Sequence, residues 1–347
     1  FVPTALTTMG VLPDNAGLYK WIKTYLLPVS LFLFTLSLDL KTILKLGPKL
    51  LWMFLIGTFG VFLGGVISLA LFKDFLPPEA WQGFSALAGS WIGGGANFVA
   101  IGQAVSAPDS ILGPIIVVDT VIANLWMGLL IFLAARKEKV DAWLKADTRA
   151  VTHVQEKLQS FQKDNARVSS YTDLLTIVGL AFVASTAAFS IAQVLPKVGD
   201  FIDTGTWRVI LITTFGVAAS LTPLKNLEGA GASRIGTIAL YLLITTIGAQ
   251  ANLHGVIQYP VMILAGAVWM SIHGALMFLG AKALRAPMFF VGVGSQANIG
   301  AAASAPVVAA AFHPSLAPVG ILLAILGYVL GTYVGLLCAY AFKLIAA

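Results

Sequence analysis

Charge is scarce in this chain. Only 10% of its 347 residues are Asp, Glu, Lys or Arg, against about 25% in a soluble domain. That scarcity excludes an ordinary water-soluble globule. Thiols are scarcer still: the one cysteine, Cys338, permits neither an internal disulfide nor a thiolate metal cluster. It lies in the last apolar run and reads as a packing residue. Acidic residues number 15 against 21 Lys plus Arg, a formal charge of +6. The basic residues fall mostly in loops, as the positive-inside rule leads one to expect, so the excess does not point to nucleic acid. A charged leader region and a cleavage site are missing as well. The chain opens at Phe1 in mid-pattern, which reads as further helices lying upstream.

What is present is apolar sequence, 58% of the residues, in recurring runs long enough to span a bilayer, for which about 20 residues suffice. The fold class is therefore an all-α polytopic membrane protein. Residues 1–12 read as the tail of a helix ending near Gly10. Full spans are expected at 21–40, 50–72, 111–135, 173–195, 207–221, 235–252, 256–284 and 318–343. Residues 136–170 form the long polar stretch and read as a cytoplasmic connector, partly amphipathic helix. The organisation is then an N-terminal half over 1–135, the connector over 136–170 and a C-terminal half over 171–347.

Two glycine-rich stretches set the halves in register. One is Gly89-Ser90-Trp91-Ile92-Gly93-Gly94-Gly95-Ala96-Asn97, the other Gly294-Ser295-Gln296-Ala297-Asn298-Ile299-Gly300-Ala301. Both read Gly-Ser, four residues, Gly-Ala. Each sits in an apolar segment, 80–106 and 287–312, whose two arms of about 10 residues make about 15 Å of helix apiece, half the bilayer core. The order around them repeats too: Asp39-Leu40-Lys41, Pro48 and a glycine-rich span precede the first, and Asn252-Leu253-His254, Pro260 and a glycine-containing span precede the second. Glycine-interrupted segments at matching places in two halves point to the site of a secondary transporter. Two forms are open. Broken helices that cross the membrane would make the repeat parallel; paired re-entrant hairpins, separated by five spans, would make it inverted. Arm length and the flanking polar loops favour hairpins.

A helix broken inside lipid frees backbone groups that must line a cavity or be buried in protein. Half-helix N-termini suit an anion, and freed carbonyls with neutral side-chain oxygens suit Na⁺. The substrate-binding candidates are Ser90, Gly94, Gly95, Asn97, Ser295, Gln296, Asn298 and Gly300. Asp119 lies within a span, where an ionisable residue is a functional candidate by default; it is the proton-carrier candidate. A Na⁺ site is expected from Asn97, Asp119, Thr120, Asn124 and Gln296, with Thr120 and Asn124 sharing a helix face at i, i+4. Asp39 and Lys41 read as an interfacial pair, and His273 as a packing histidine. Neither glycine stretch holds Lys or Arg, so an anion there relies on backbone dipoles and bound cations, which favours cation-coupled symport.

Leu36-Ser37-Leu38-Asp39-Leu40-Lys41, Leu46-Gly47-Pro48-Lys49, both glycine stretches, Asp119, Ala123-Asn124-Leu125-Trp126, Trp143-Leu144-Lys145-Ala146-Asp147-Thr148 and Asn226-Leu227-Glu228-Gly229-Ala230-Gly231 resemble the YjcL-like family of membrane proteins. That family is similar to the larger cation:proton antiporter and anion transporter group, which includes bile-acid sodium symporters. The resemblance implies an elevator mechanism, in which a transport domain carrying the broken helices slides against a scaffold, often in a homodimer. It also implies Na⁺ ligands on the broken helices and on the span after the first, where Asn97, Gln296 and Asp119 or Thr120 stand. Phe98 departs from the family, which often has a polar residue there.

The expectation is a secondary active transporter in the bacterial inner (plasma) membrane, a symporter coupling Na⁺ or H⁺ to a small organic anion. The alternative is a monovalent cation/proton antiporter. An enzyme is not expected: Asp39 and Asp119 lack the Gly-x-Gly-Asp context of intramembrane aspartyl proteases. Nor is an organic cofactor; the partners expected are substrate, lipid and a second copy of the chain.

Overall fold

The computed structural model describes residues 2–13, 16–152, 154, 169–199, 201–250 and 260–346. The elements, in order, are α1 Val2–Thr8, α2 Gly17–Leu36, α3 Leu40–Lys45, α4 Pro48–Phe72, α5 Ala80–Ala104, α6 Asp109–Ala134 and α7 Lys137–Leu144. They continue with α8 Tyr171–Val194, α9 Thr204–Ser220, α10 Ala232–Gln250, α11 Pro260–Leu284, α12 Met288–Ile299, α13 Ala301–Phe312 and α14 Ala317–Ala346. Residues 155–168 of the connector, and the Asn252-Leu253-His254 match with the start of the span expected from 256, lie outside the described residues.

Local chemistry explains the boundaries. Pro48 starts α4 directly after Gly47, at a position where a missing N–H costs nothing. Ser170 and Asp173 form a capping box on α8, and Asp203 caps α9 through the Thr206 amide. Asp39 caps α3 by accepting from the Thr42 amide and hydroxyl. Its ion-pair partner is Lys225, at 3.4 Å, and Lys41 is exposed. The expected Asp39–Lys41 pair does not form, because residues two apart on a helix do not face each other. Burial acts to raise the Asp39 carboxyl; Thr42 and Lys225 outweigh it and hold the group below the usual carboxylate range.

Helices pack in two bundles. In one, α2 is surrounded by α8, α9 and α10, with α1 on α10. Every side chain from Val29 to Leu36 is buried, as a helix enclosed on all sides requires. In the other, α14 lies along α5 and α13, α11 along α4, and α12 against α4 and α14. Each bundle takes helices from both sides of the connector.

Seven helices among the described residues are long and apolar enough to cross a membrane, so the chain is a multi-pass membrane protein. Ala80–Ala104 is one of the seven by length, yet it does not run straight. Gln82 Nε2 donates to the Val105 carbonyl at 2.8 Å, 23 residues away, whereas a straight helix would put them about 35 Å apart. A Cβ on Gly89 would stand 2.6 Å from the Asn97 carbonyl oxygen. Gly93 and Gly94 alone leave helical φ/ψ, and α5 folds back on itself there. α12 and α13 do the same about Gly300: Phe289 and Phe312 pack edge to face at 5.4 Å, and Gln296 Nε2 reaches Ser304 Oγ at 2.7 Å. Both broken elements are hairpins.

They enter from opposite ends of α6. The base of the first, at Val105 and Ser106, leads into Asp109, where α6 begins. The base of the second, the Met288 amide, donates to Asp141 Oδ1 of α7, just past the other end of α6. Burial keeps the Asp141 carboxyl above its ordinary range, although the Met288 amide and Lys137 act against it. Cysteines placed at Ser106 and His313, on the two bases, should therefore label from opposite faces of the membrane with an impermeant maleimide. Cys338 is fully buried and supplies no background. Labelling of both from one face would overturn the hairpin assignment.

Candidate functional site

The two hairpin tips meet. Gly94 has φ 74°, and a Cβ there would stand 2.5 Å from the Ala301 Cβ. Ala301 itself is left-handed, with φ 46°. Four half-helix ends thus converge, two offering carbonyls and two offering amides. The Ile92 and Ala297 carbonyl oxygens both lie against Gly327 of α14, 3.1 Å and 3.0 Å from where its Cβ would be. Tyr328 follows; its ring stacks on Phe34 of the other bundle at 4.2 Å. Carbonyl ends suit a small cation and amide ends an anion.

Asn97 and Asn298, both fully buried, anchor the hairpins in one way. Asn97 Nδ2 donates to the Gly93 and Tyr328 carbonyls at 3.1 Å and 2.9 Å, and its Oδ1 accepts from Thr332 at 2.7 Å. Asn298 Nδ2 donates to the Gly294 and Phe54 carbonyls at 2.8 Å and 3.0 Å, and its Oδ1 accepts from Thr58 at 2.7 Å. The receiving helices carry matching sequence: Phe54-Leu55-Ile56-Gly57-Thr58 on α4 and Tyr328-Val329-Leu330-Gly331-Thr332 on α14. Glycine is required before each threonine, since a Cβ at Gly57 or Gly331 would stand 2.8 Å or 2.6 Å from the asparagine Nδ2. The Phe/Tyr-x-x-Gly-Thr repeat was readable in the sequence and is the signal that reading for glycine stretches alone misses.

The spelling match between the stretches is two residues out of step with the tips. It pairs Gly95-Ala96 with Gly300-Ala301, whereas the folds occur at Gly93-Gly94 and at Gly300-Ala301. Asn97 consequently lies on the returning arm of its hairpin and Asn298 on the entering arm. Antiparallel arms present amides to neighbouring helices equally well from either side. Gly95, half-buried, faces Ile244 of α10.

Asp119 meets the entering arm of the first hairpin. Its carboxylate accepts from Ser90 Oγ at 2.7 Å and Trp91 Nε1 at 2.8 Å. Ser295, which the spelling pairs with Ser90, accepts from Trp126 Nε1 at 2.8 Å and lies 2.8 Å from His273 Nε2. His273 Nδ1 reaches the Gly57 carbonyl at 3.1 Å, so Nδ1 carries the hydrogen and Nε2 is left to accept from the serine. His273 is buried, and it joins α4 to the second hairpin through Ser295.

The five expected Na⁺ ligands are not gathered at one point: among the described residues the hydrogen bond that joins two of them runs along a single helix, from Asn124 to the Thr120 carbonyl at 2.7 Å. Thr120 Oγ1 donates to the Ile116 carbonyl, and Asn124, exposed, donates to the Thr120 carbonyl. Both satisfy their own helix. Gln296 differs from the rest. It is 1% exposed, its Nε2 is held by Ser304, and its Oε1 has no partner among the described residues. A buried amide left half-satisfied costs about 1–3 kcal/mol. Whichever way the amide is flipped, one of its ends beside the tip has no partner among the described residues.

A family model described as "Protein of unknown function (DUF819)" matches residues 1–345. The chain is similar to the uncharacterized membrane protein YjcL of Bacillus subtilis (strain 168), with 27% identity over 347 residues, covering 95% of this chain and 85% of that protein.

Proposed function

The chain belongs to the DUF819 family, and for this member we propose secondary active transport: symport of a small organic anion coupled to Na⁺ or H⁺, by an elevator mechanism. In this reading the halves form an inverted repeat. The bundle with both hairpins is the carrier, and the bundle built around α2 is the scaffold, through which two copies associate in the plasma membrane. The reading places the protein beside the cation:proton antiporter and anion transporter group. The observation that carries it is the unpartnered Gln296 oxygen beside the point where two half-membrane hairpins touch. Carbonyls of Ile92 and Ala297 are close at hand for a monovalent cation, with Asn97 and Asn298 holding the tips rigid around it.

A monovalent cation/proton antiporter is the second reading, favoured by Asp119, a carboxylate held directly on a hairpin arm. Asp119→Asn separates the two. The amide keeps the shape: its oxygen can accept from Trp91 Nε1 and its NH2 can donate to Ser90 Oγ, so the fold is retained. In proteoliposomes an antiporter using this group as its proton carrier loses all Na⁺/H⁺ exchange, a drop of about 100-fold or more. A symporter keeps substrate binding, weakened. Unchanged exchange in Asp119→Asn would remove Asp119 from either mechanism.

A further inference from the structure

A cavity of about 440 Å³ lies between the two bundles, within the size range of small-molecule sites. Its walls come from α2, α8, α9 and α10 on one side and from the returning arm of the first hairpin with the start of α6 on the other. Leu27, Leu31, Val99, Leu112 and Ile212 make much of it apolar. Two cations face it. Lys23 is paired with Asp109 at 2.8 Å, across from α2 to α6. Arg208 is different: its guanidinium carbon stands 3.7 Å over the Phe189 ring, and its Nε is buried with no hydrogen-bond partner among the described residues. No carboxylate pairs with Arg208 among the described residues.

We propose that this cavity is the substrate's binding site, that the substrate is a small monocarboxylate with an apolar body, and that Arg208 receives the carboxylate. Among the described residues that line the cavity, Lys23 already neutralises the one acid, Asp109, so one positive charge is left over, matching one negative charge on the ligand. Phe189 braces the guanidinium on one face, and a ring stacked there takes up none of the in-plane N–H donors. Those donors form a planar fork whose geometry fits a carboxylate bidentately. The aliphatic wall then takes up the rest of the molecule. The returning arm that lines the cavity through Val99, Gly102 and Gln103 begins at the hairpin tip. Occupancy at Arg208 and at the tip are thereby sensed by one rigid segment, about 15 Å long. The inference deepens the transport reading and rests on it for the word substrate; the binding itself does not.

The experiment is thermal unfolding of the purified full chain in nanodiscs. The probes are butanoate, 4-methylpentanoate and 3-phenylpropanoate, each beside its primary amide, with inorganic phosphate as a bare anion. At least one carboxylate should stabilise the protein saturably, and the amides and phosphate should not. Arg208→Gln should raise the apparent Kd at least ten-fold, with Arg208→Lys in between. Thr24→Trp fills the cavity from α2 and should abolish the effect; it also serves if Arg208→Gln does not fold. Both variants should respond to Na⁺ as the wild type does. Equal action of acid and amide, no response to any carboxylate, or an unchanged carboxylate response in both variants would overturn the proposal. A carboxylate response that needs Arg208 in a protein indifferent to Na⁺ and to pH would instead sink the coupled-transport reading and leave this site standing.

Discussion

Gly94→Ala lowers the melting temperature by more than about 5 °C and abolishes any stabilisation by Na⁺, while Ala301→Gly leaves both at or above the wild-type level. The two positions touch, and both are left-handed, so the contrast isolates what each side chain does. Gly94 combines φ 74° with ψ −174°, a region that glycine alone occupies readily; another residue there costs about 1–3 kcal/mol. Its Cβ would also stand 2.5 Å from the Ala301 Cβ, when carbon atoms at ease are about 3.5–4.0 Å apart. The tips must part by about an ångström, and with them the carbonyls of Ile92 and Ala297. Ala301 already bears a left-handed strain of about 1–2 kcal/mol. Removing its methyl relieves that strain at the cost of chain entropy, and the two nearly cancel. A melting curve of each variant with and without Na⁺ checks both halves. Equal damage from both changes would mean that the tips are merely packed.

Gln296→Leu should abolish the Na⁺ response and leave the ion-free protein as stable as the wild type or more so. A residue conserving structure behaves in the opposite sense, since its loss destabilises. Here the buried Oε1 has no partner, so leucine removes a penalty of about 1–3 kcal/mol and loses one bond to Ser304. What disappears is the gain from the ion, about 2.7 kcal/mol at a hundred-fold excess over its Kd. A variant that melts lower without Na⁺ yet still responds to it would make Gln296 a packing residue.

The sequence is most legible where backbone chemistry is local. Glycines at two half-length segments announced both breaks and favoured hairpins over crossing helices, and flanking prolines and caps placed the helices within a few residues. The tip register was less legible, because Gly93, Gly94 and Gly95 are equivalent on paper and only packing against Ala301 selects the fold point. Partners distant in sequence were not legible at all. Lys225 answers Asp39 across 186 residues, and Arg208 sits in a span with no unusual spelling around it. His273 reads as a packing histidine until Ser295 and the Gly57 carbonyl are placed on its two nitrogens. Thr58 and Thr332 were visible as a repeated Gly-Thr, but only the asparagines that dock on them give the repeat a purpose.

We propose that the meeting of the two hairpins is a coupling-ion site. Thermal unfolding of the wild-type protein in nanodiscs, titrated with NaCl against choline chloride at several pH values from 5.5 to 8.5, tests it most directly. A coupling-ion site there gives saturable stabilisation by Na⁺, or stabilisation on acidification that Asp119→Asn removes. A protein whose melting temperature follows ionic strength alone, with Na⁺ and choline alike at every pH, would contradict it.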